Sequence, residues 1–173
     1  METLDAIGRQ RVTRRFTHDP IPEDALATIL HAGRRAGSSK NLQRWAFVVV
    51  RDRSTLERLS KLGPWCGHIA GASVAIALVT PDPHTGDLPL SVMWDLGRAA
   101  QNMTLAAWAL GIGSCPGTVY EHAACREILG FPEDHHCEYI LSFGYPADPT
   151  DLTRPLQAGG RHDLASMVHE ERW

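Results

Sequence analysis

The sequence has no apolar run near the roughly 18 residues that a membrane-spanning helix needs. Its first residues, METLDAIGRQ, also lack the apolar core of a signal peptide. An excess of charge is missing too: the net charge is −3 in 173 residues, which indicates neither nucleic acid nor an anionic membrane as a partner. These absences favour a cytoplasmic location.

Motifs of several common catalytic and metal sites are missing as well. The four cysteines, at positions 66, 115, 125 and 137, form no C-x-x-C pair, and their spacing argues against a disulfide framework. There is no G-x-S-x-G, H-E-x-x-H or Walker loop. Ser38 or Ser39 could be imagined as a hydrolase nucleophile, but no paired histidine and acid is apparent near them.

What is present is the composition of a globular protein, 43% hydrophobic and 21% charged, at a length that predicts one domain over residues 1–173. Apolar periodicity predicts helices in METLDAIGRQ, PIPEDALATILHAGRRAG, STLERLSKL (with Ser54 as the N-cap), residues 90–110 and ACREILG (closed by Gly130). Strands are predicted in WAFVVV, SVAIALVT, GIGSCPG (ending in a tight turn) and CEYILSFGYP, with TPDPHTGDLP as a loop. Strands that alternate with helices indicate an α/β or α+β architecture.

The first two strands differ in their surroundings. Residues 47–50 are predicted to be buried, and both faces of SVAIALVT are expected to be covered because nearly every residue is apolar. Polar side chains directly precede the first strand: Ser38, Ser39, Asn41 and Gln43. Either they satisfy one another in a turn, or they are held there for a ligand.

Two further stretches suit a ligand but have simpler explanations. RQRVTRRF, residues 9–16, carries four arginines, which can bind a phosphate bidentately or form a solvated basic face. The glycines of ALGIGSCPGTVY allow close approach of the backbone to a flat ligand, or simply a tight helix-to-strand connection. The G-x-G-x-x-x-G spacing is not the dinucleotide fingerprint, since it ends a helix rather than opening one.

No metal is predicted. In EDHHCEY, adjacent His135 and His136 point in different directions on any regular element, so a metal site at residues 135–137 is a weak hypothesis. His68, His84 and His122 are expected to be isolated surface or capping residues.

Five stretches, taken in order, resemble the nitroreductase family of FMN-dependent oxidoreductases. Members tend to read R-R-S-x-R-x-F, then P-S-S-x-N-x-Q-P-W-x-F, D-x-G-x-A-x-Q-N with L-G-L-G-S, F-G-Y-P, and a basic segment that ends near a tryptophan. The corresponding stretches here are QRVTRRF, GSSKNLQRWAF, DLGRAAQNMTLAAWALGIGSC, FGYPAD and GRHDLASMVHEERW. The resemblance covers nearly the whole chain and indicates a short member of the family.

The resemblance implies an α+β fold with α/β-type layers: a central, mainly antiparallel sheet flanked by helices, one of them long and central. It also implies a homodimer with FMN at the subunit interface. Arg11 and Arg14 match positions that hold the FMN phosphate and the pyrimidine edge of the flavin. Arg161 matches a second phosphate ligand, and His162 stands beside it in the basic tail.

Other matched positions imply contacts with the flavin ring. Ser38, Ser39 and Asn41 match residues that reach the flavin from the neighbouring subunit, and Gln43 either joins them or braces the turn. Pro116, Gly117 and Thr118 match the backbone that lies along the isoalloxazine, with Thr118 as the candidate catalytic contact near N5.

Four positions depart from the family pattern. Val12, within the phosphate-binding stretch, replaces a serine, so one hydroxyl donor is lost, and Gln10 replaces an arginine. Gly37 and Arg44 replace prolines. These changes predict an altered phosphate clamp.

The activity implied is ping-pong transfer of a hydride from NAD(P)H, through flavin N5, to an electron-poor acceptor such as a nitroaromatic, quinone or enone. An alternative is a flavin- or nucleotide-binding module without turnover, serving storage or regulation. A protein that binds metal through residues 135–137 is the third hypothesis.

Overall fold

The computed structural model of the chain describes residues 2–85, 89–155 and 160–173. Its helices and strands are, in order, α1 (Thr3–Arg9), α2 (Glu23–Arg34), β1 (Ala46–Val50), α3 (Arg53–Leu59), β2 (Val74–Pro81), α4 (Ser91–Ala109), β3 (Gly113–Thr118), α5 (His122–Leu129) and β4 (His135–Gly144). Short 3₁₀ turns cover Ser39–Asn41, Gly67–Gly71, Pro149–Leu152 and Leu164–Ser166. Part of the predicted loop TPDPHTGDLP, residues 86–88, lies outside the described residues.

The four strands form one antiparallel sheet in the order β1-β2-β4-β3. The α+β fold, with a long helix lying against an antiparallel sheet, is therefore confirmed. Because β2 and β4 are central, β1 and β3 are its two edge strands. None of the helices in the described residues is long and apolar enough to cross a membrane.

The alternation of side chains along β2 produces a three-layered core. Val74, Ile76 and Leu78 pack with residues of α2 and α4 on one face of the sheet. Ala75 and Val79 face the other way and pack with residues of α3, α5 and the turn Gly67–Gly71. Since helices cover both faces, β2 reads as a continuous apolar run, and the expectation that both of its faces are covered is confirmed.

Helix α4 lies at the centre of the first layer, against α1, α2, β2 and β3. It approaches α2 closely at Gly33, where a Cβ would overlap the side chain of Met103. Asn102 Nδ2 also donates to the carbonyl of Ala32 at 3.2 Å. These contacts hold α4 firmly, and residues at its N-terminal end line one of the cavities described below.

Two local predictions about the strands are wrong. Only Val50 of β1 is buried, because β1 is an edge strand whose outward side is not covered within one chain. The predicted tight turn after Cys115 is instead the second half of β3, which continues through Pro116 and Gly117. A proline is tolerated there because an edge strand needs no N–H donor on its outer side.

The start of α3 also differs from expectation. Asp52, and not Ser54, caps α3: its carboxylate accepts from the N–H of Thr55 at 2.8 Å, and Ser54 Oγ donates to the same group at 2.6 Å. The C-terminal segment contains a single 3₁₀ turn, Leu164–Ser166, and residues 160–173 are exposed throughout. The predicted closure of α5 is confirmed, because Gly130 caps it with a left-handed φ of 70°.

Candidate active site

The arginine-rich segment runs beside edge strand β3. Val12 forms a parallel bridge with Ser114, and the N–H of Thr13 donates to the carbonyl of Ser114 at 2.9 Å. The buried side chain of Thr13 lies on Gly113, where an added Cβ would be 2.6 Å from Thr13 Cβ. This close packing fixes the segment so that Arg14 emerges beside the outer edge of β3.

Beyond Ser114, that outer edge has no strand partner among the described residues. Backbone hydrogen bonds alternate in direction along a strand, so Pro116 and Thr118 face the same outer side as Ser114. Proline has no N–H, which leaves Thr118 as the strand residue whose N–H points outward beyond Ser114. The carbonyl of Thr118, on the same side, accepts from Cys66 Sγ at 3.2 Å.

A cleft of about 660 Å³ lies along this edge. It brings together Arg14, Pro116 and Thr118, three residues that the sequence predicts as flavin contacts. Its lining is completed by Pro64, Trp65, Gly67 and His68. Sequence reasoning missed these four; the signal was the segment GPWCGH, in which glycines, a proline and a tryptophan precede a strand. Trp65 is 67% exposed although it is large and apolar.

His68 is not the isolated surface residue that the sequence predicts. Its Nδ1 lies 2.7 Å from Ser142 Oγ, and that hydroxyl donates to the carbonyl of Cys115 at 3.2 Å. Its Nε2 is buried and has no hydrogen-bond partner among the described residues. Burial lowers the pKa of His68, so the ring is neutral at neutral pH. The imidazole of His68 therefore lines the cleft with its Nε2 buried rather than open to solvent.

Arg11 does not line the cleft. One of its Nη atoms donates to the carbonyl of Arg9, and the other donates to the carbonyl of Arg154 at 3.1 Å. Arg154 itself pairs with Asp151 at 2.9 Å, so much of its charge is balanced. Sequence reasoning missed this contact between the N-terminal arginines and the segment that follows β4, because it joins residues 143 positions apart.

Two other predicted phosphate-site residues lie on the exposed C-terminal segment. Arg161 donates to the carbonyl of the neighbouring Gly160 at 2.8 Å, and His162 is exposed beside it. Neither residue lines the cleft within one chain.

The polar stretch before β1 folds into a turn that satisfies much of its own hydrogen bonding. The N–H of Gln43 donates to Ser38 Oγ at 3.0 Å, and Gln43 Nε2 donates to Asn41 Oδ1 at 3.2 Å. Gln43 thus braces the turn. The N–H of Ser39 donates to Asp95 Oδ2 of α4 at 2.8 Å.

The backbone of this turn is unusual. Lys40, Asn41 and Gln43 have φ angles of 51°, 55° and 48°, a left-handed conformation that is uncommon for residues with side chains. The exposed side chains of Ser39, Asn41 and Gln43 consequently point away from the core. A rigid, outward-facing set of polar groups with strained backbone is typical of a functional site.

This turn and the cleft are separate in one chain. Ser39 lines a different cavity of about 410 Å³, together with Arg44 and Asp95, and no residue is shared between the linings of the two cavities. The structure therefore brings three of the predicted flavin contacts, Arg14, Pro116 and Thr118, together in the cleft. It leaves Ser38, Ser39, Asn41 and Gln43 elsewhere on the surface.

The two positions that replace prolines have local roles. Arg44 lines the 410 Å³ cavity, and its carbonyl accepts from Thr80 Oγ1 at 2.9 Å. At Gly37 a Cβ would lie 2.5 Å from an Nη atom of Arg98. Glycine at this position allows α4 to pack against the chain just before the turn.

An apolar groove of about 560 Å³ lies between α2 and β1. Trp45, Phe47 and Val49 form one wall, and Leu30 and Ala27 form the other. It is the uncovered side of the edge strand, where burial was predicted and partial exposure is found.

Comparisons with known proteins identify relatives that match over most of the chain. The model of the nitroreductase family matches residues 7–66 and 63–145. A protein of Archaeoglobus fulgidus, assigned as an NADH dehydrogenase/NAD(P)H nitroreductase, is 35% identical over 178 residues and aligns over 99% of each chain. The NADPH-flavin oxidoreductase of Vibrio harveyi is 29% identical over 99% of this chain and 74% of its own.

Among solved structures, the NADPH:FMN oxidoreductase of Vibrio harveyi, complexed with NAD⁺, superimposes with a TM-score of 0.84. The sequence identity is 26%, and the match covers 99% of this chain and 77% of the other. The segments matched by the family model contain all the residues that line the cleft, and they contain the polar turn as well.

Proposed function

The chain belongs to the nitroreductase family, and on this premise we propose that it is an FMN-dependent oxidoreductase that passes a hydride from NAD(P)H to an electron-poor acceptor. The observation that carries the proposal is the cleft in which Arg14 and His68 flank the free outer edge of β3. The Vibrio harveyi relative in the structural comparison is an NADPH:FMN oxidoreductase.

The residues of the cleft fit FMN. A volume of about 660 Å³ lies within the range typical of small-molecule sites. Arg14 offers positive charge, the N–H of Thr118 faces outward, and Nε2 of His68 is buried without a partner. A planar ligand with an anionic group, carbonyl oxygens and ring nitrogens can satisfy all three, which supports the assignment.

At the phosphate end, we assign the anion to arginines of the N-terminal segment and the tail. Among the described residues, Arg11 donates to the carbonyl groups of Arg9 and Arg154 and forms no ion pair with a carboxylate. Arg161 and His162 are exposed and free to join it. Val12 contributes its main chain through the bridge to Ser114 but has no hydroxyl to donate, which removes one contact expected in the family.

At the ring end, FMN when bound supplies the chemistry, because its N5 accepts and releases a hydride. Thr118 is assigned to donate its main-chain N–H towards N5, and Pro116 to present an apolar surface to the ring. Gly117 faces the other side of β3, where an added Cβ would lie 3.2 Å from Cys66 Sγ and 3.4 Å from His68 Nε2. Its missing side chain lets the strand lie close against this support.

The remaining contacts require a second copy of the chain. Ser38, Ser39 and Asn41 are assigned to reach the flavin of the neighbouring subunit, since Ser39 and Asn41 are exposed and all three lie apart from the cleft of their own chain. The apolar groove between α2 and β1, directly after this turn, is the surface we assign to the homodimer interface. Exposed Leu164, Met167 and Trp173 of the tail offer further apolar surface to the partner.

NAD(P)H and the acceptor are assigned to the same cleft in alternation, as a ping-pong scheme requires. Trp65 forms an aromatic wall beside it, a surface suited to planar, electron-poor acceptors such as nitroaromatics and quinones. His68 is neutral and acts as a hydrogen-bonding group in this scheme, and solvent at the open cleft can supply protons.

The absorption spectrum of the purified protein, followed by anaerobic titration with NADH and with NADPH, tests the proposal. We expect the yellow colour of bound flavin and its bleaching by at least one of the two donors. A colourless protein that does not take up added FMN would overturn the proposal. Flavin that binds but is not reduced by either donor would support a binding module without turnover instead.

A further inference from the structure

Five side chains with metal-binding chemistry, with His136 at their centre, form a cluster away from the cleft. They come from three separate segments: Asp82 and His84 follow β2, His122 begins α5, and His136 and Glu138 lie near the start of β4. His84 and His122, which the sequence predicts to be isolated, thus lie beside the buried His136, with ring centroids 5.0 and 4.5 Å from its ring.

The tightest group is His122, His136 and Glu138. Oε2 of Glu138 lies 2.9 Å from Nε2 of His136 and 3.8 Å from Nε2 of His122. Ligand atoms bound to one tetrahedral Zn²⁺ at about 2.0–2.1 Å lie roughly 3.4 Å apart. The three atoms therefore need only small movements to hold one ion.

A β-bulge aims the carboxylate of Glu138. Leu78 pairs with Tyr139, whereas the next residue of β2, Val79, pairs with Cys137, so Glu138 is the extra residue of β4. Bulges commonly redirect a side chain next to a functional site. The main-chain carbonyl of Glu138 accepts from the N–H of Val119 at 2.9 Å, which ties the bulge to the segment just before α5.

We propose that His122, His136 and Glu138 bind a divalent transition-metal ion of the Zn²⁺ type, which links α5 to β4. Two imidazole nitrogens and one carboxylate suit Zn²⁺ or Co²⁺, whereas Ca²⁺ and Mg²⁺ prefer oxygen ligands alone. Three protein ligands leave a coordination position for water.

A second carboxylate and a third imidazole support this site. Asp82 Oδ1 lies 3.1 Å from His84 Nδ1, and the ligand atoms of these two residues and His136 all lie within 4.8 Å of one another. With Glu138, Asp82 balances the two positive charges of the ion. None of the five residues lines the flavin cleft, so this site is independent of the proposed oxidoreductase function.

Residues 135–137 do not form the site as a consecutive set. His135 turns away and pairs with Asp134 at 2.7 Å, and Cys137 is buried in the core with Cys125. The expectation that adjacent histidines diverge is confirmed. Only His136 of these three takes part, together with residues that are distant in sequence.

The test uses the purified full chain without a polyhistidine tag, freed of metal by a chelator and then titrated with Zn²⁺ by calorimetry. We expect one saturable Zn²⁺ per chain and a rise in Tm, since an ion that binds only the folded state stabilises it. Added Co²⁺ should show the absorption bands of a tetrahedral or five-coordinate site with nitrogen and oxygen ligands.

Matched variants test which side chains bind the ion. His122→Ala and Glu138→Gln alter side chains that are 41% and 27% exposed, so both should fold without metal. Each should weaken Zn²⁺ binding by at least about tenfold and remove the rise in Tm. His135→Ala, which removes the adjacent histidine, should bind Zn²⁺ as the unmodified chain does. The absence of a saturable site, or equal binding by all three variants, would overturn the proposal.

Discussion

The cleft beside β3 and the polar turn before β1 carry the two halves of the proposed flavin site, and they are built differently. The cleft is assembled from three distant segments, with Arg14, His68 and Thr118 around one strand edge. The turn is local: Ser38, Asn41 and Gln43 bond to one another and present their polar groups outward. A surface with preformed polar groups beside an apolar groove is suited to another chain, whereas the cleft is suited to a ligand.

The largest effect is expected from a substitution that dissociates the dimer and so separates the cleft of one chain from the polar turn of the other. Phe47→Glu places a charge in the groove between α2 and β1, next to the turn. Burying a carboxylate in the proposed interface, in place of an aromatic side chain, should weaken the dimer by at least about 3 kcal/mol, more than about 100-fold in Kd. Sedimentation should then show monomers that have lost their flavin. Phe47→Leu keeps the groove apolar and should remain dimeric; a dimeric, flavin-loaded Phe47→Glu variant would place the interface elsewhere.

The next largest effect is expected when the positive charge of Arg14 is removed from the cleft. Arg14→Ala should raise the Kd for FMN roughly 10- to 100-fold, the range expected for a lost charge-assisted contact. Flavin occupancy and fluorescence titration measure it. Arg15→Ala removes the adjacent arginine, which does not line the cleft, and should change the Kd little. Unchanged flavin content in the Arg14 variant would contradict the assignment of this cleft.

Mixing two inactive variants tests whether the halves come from different chains. Arg14→Ala and Asn41→Ala homodimers should each bind flavin poorly. After the chains are unfolded and refolded together, random assortment makes about half of the dimers mixed, and each mixed dimer has one intact site if the site is shared between subunits. Occupancy should then recover to about a quarter of the unmodified level. No recovery would mean that both residues serve the flavin of their own chain.

The two regions also differ in how much of them the sequence predicts. The turn is contiguous, so GSSKNLQ suffices to identify its polar groups and their two possible uses. The cleft depends on contacts between segments far apart in the chain. The segment GPWCGH is marked by its glycines and proline, but nothing in it shows that Trp65 and His68 meet Arg14 and Thr118. The contact between Arg11 and Arg154 spans 143 positions. Periodicity predicts the helices and strands. It does not predict which strand lies at an edge of the sheet, and the burial of β1 depends on that position.

Sequence reasoning fails for the same reason at the histidines. His84 and His122 appear isolated because neither is close in sequence to His136, although the fold places their ring centroids within 5.0 Å of that residue's ring. Conversely, Asp52 takes the capping role expected of Ser54 because either residue suits the sequence pattern and the exact start of a helix is the least predictable feature.

A smaller effect on flavin binding is expected from removal of the main-chain N–H of Thr118, and it can be compared with removal of the side-chain hydroxyl. Thr118→Pro removes the outward N–H, and because that N–H faces away from β4, the sheet loses no ladder hydrogen bond. We expect flavin affinity or its rate of reduction to fall roughly two- to tenfold, the value of one hydrogen bond. Thr118→Val keeps the N–H and removes only the hydroxyl, so stopped-flow reduction by NAD(P)H should be close to normal. An equal loss in the valine variant would transfer the role to the side chain.

The smallest expected effect is a difference in pH dependence between the two regions. Burial lowers the pKa of His68 in the folded protein below the value of about 6.5 expected when the chain is unfolded. As the pH falls below about 6.5, the unfolded chain therefore binds a proton that the folded chain does not, and the free energy of unfolding decreases. His68→Asn keeps a partner for Ser142 but does not titrate, so urea unfolding at about pH 7.5 and pH 5.5 should show a smaller loss of stability than in the unmodified chain. Asn41→Ala, in the turn, should leave that loss unchanged. A pH dependence that is the same in the His68 variant would show that this ring is not the buried neutral group of the cleft.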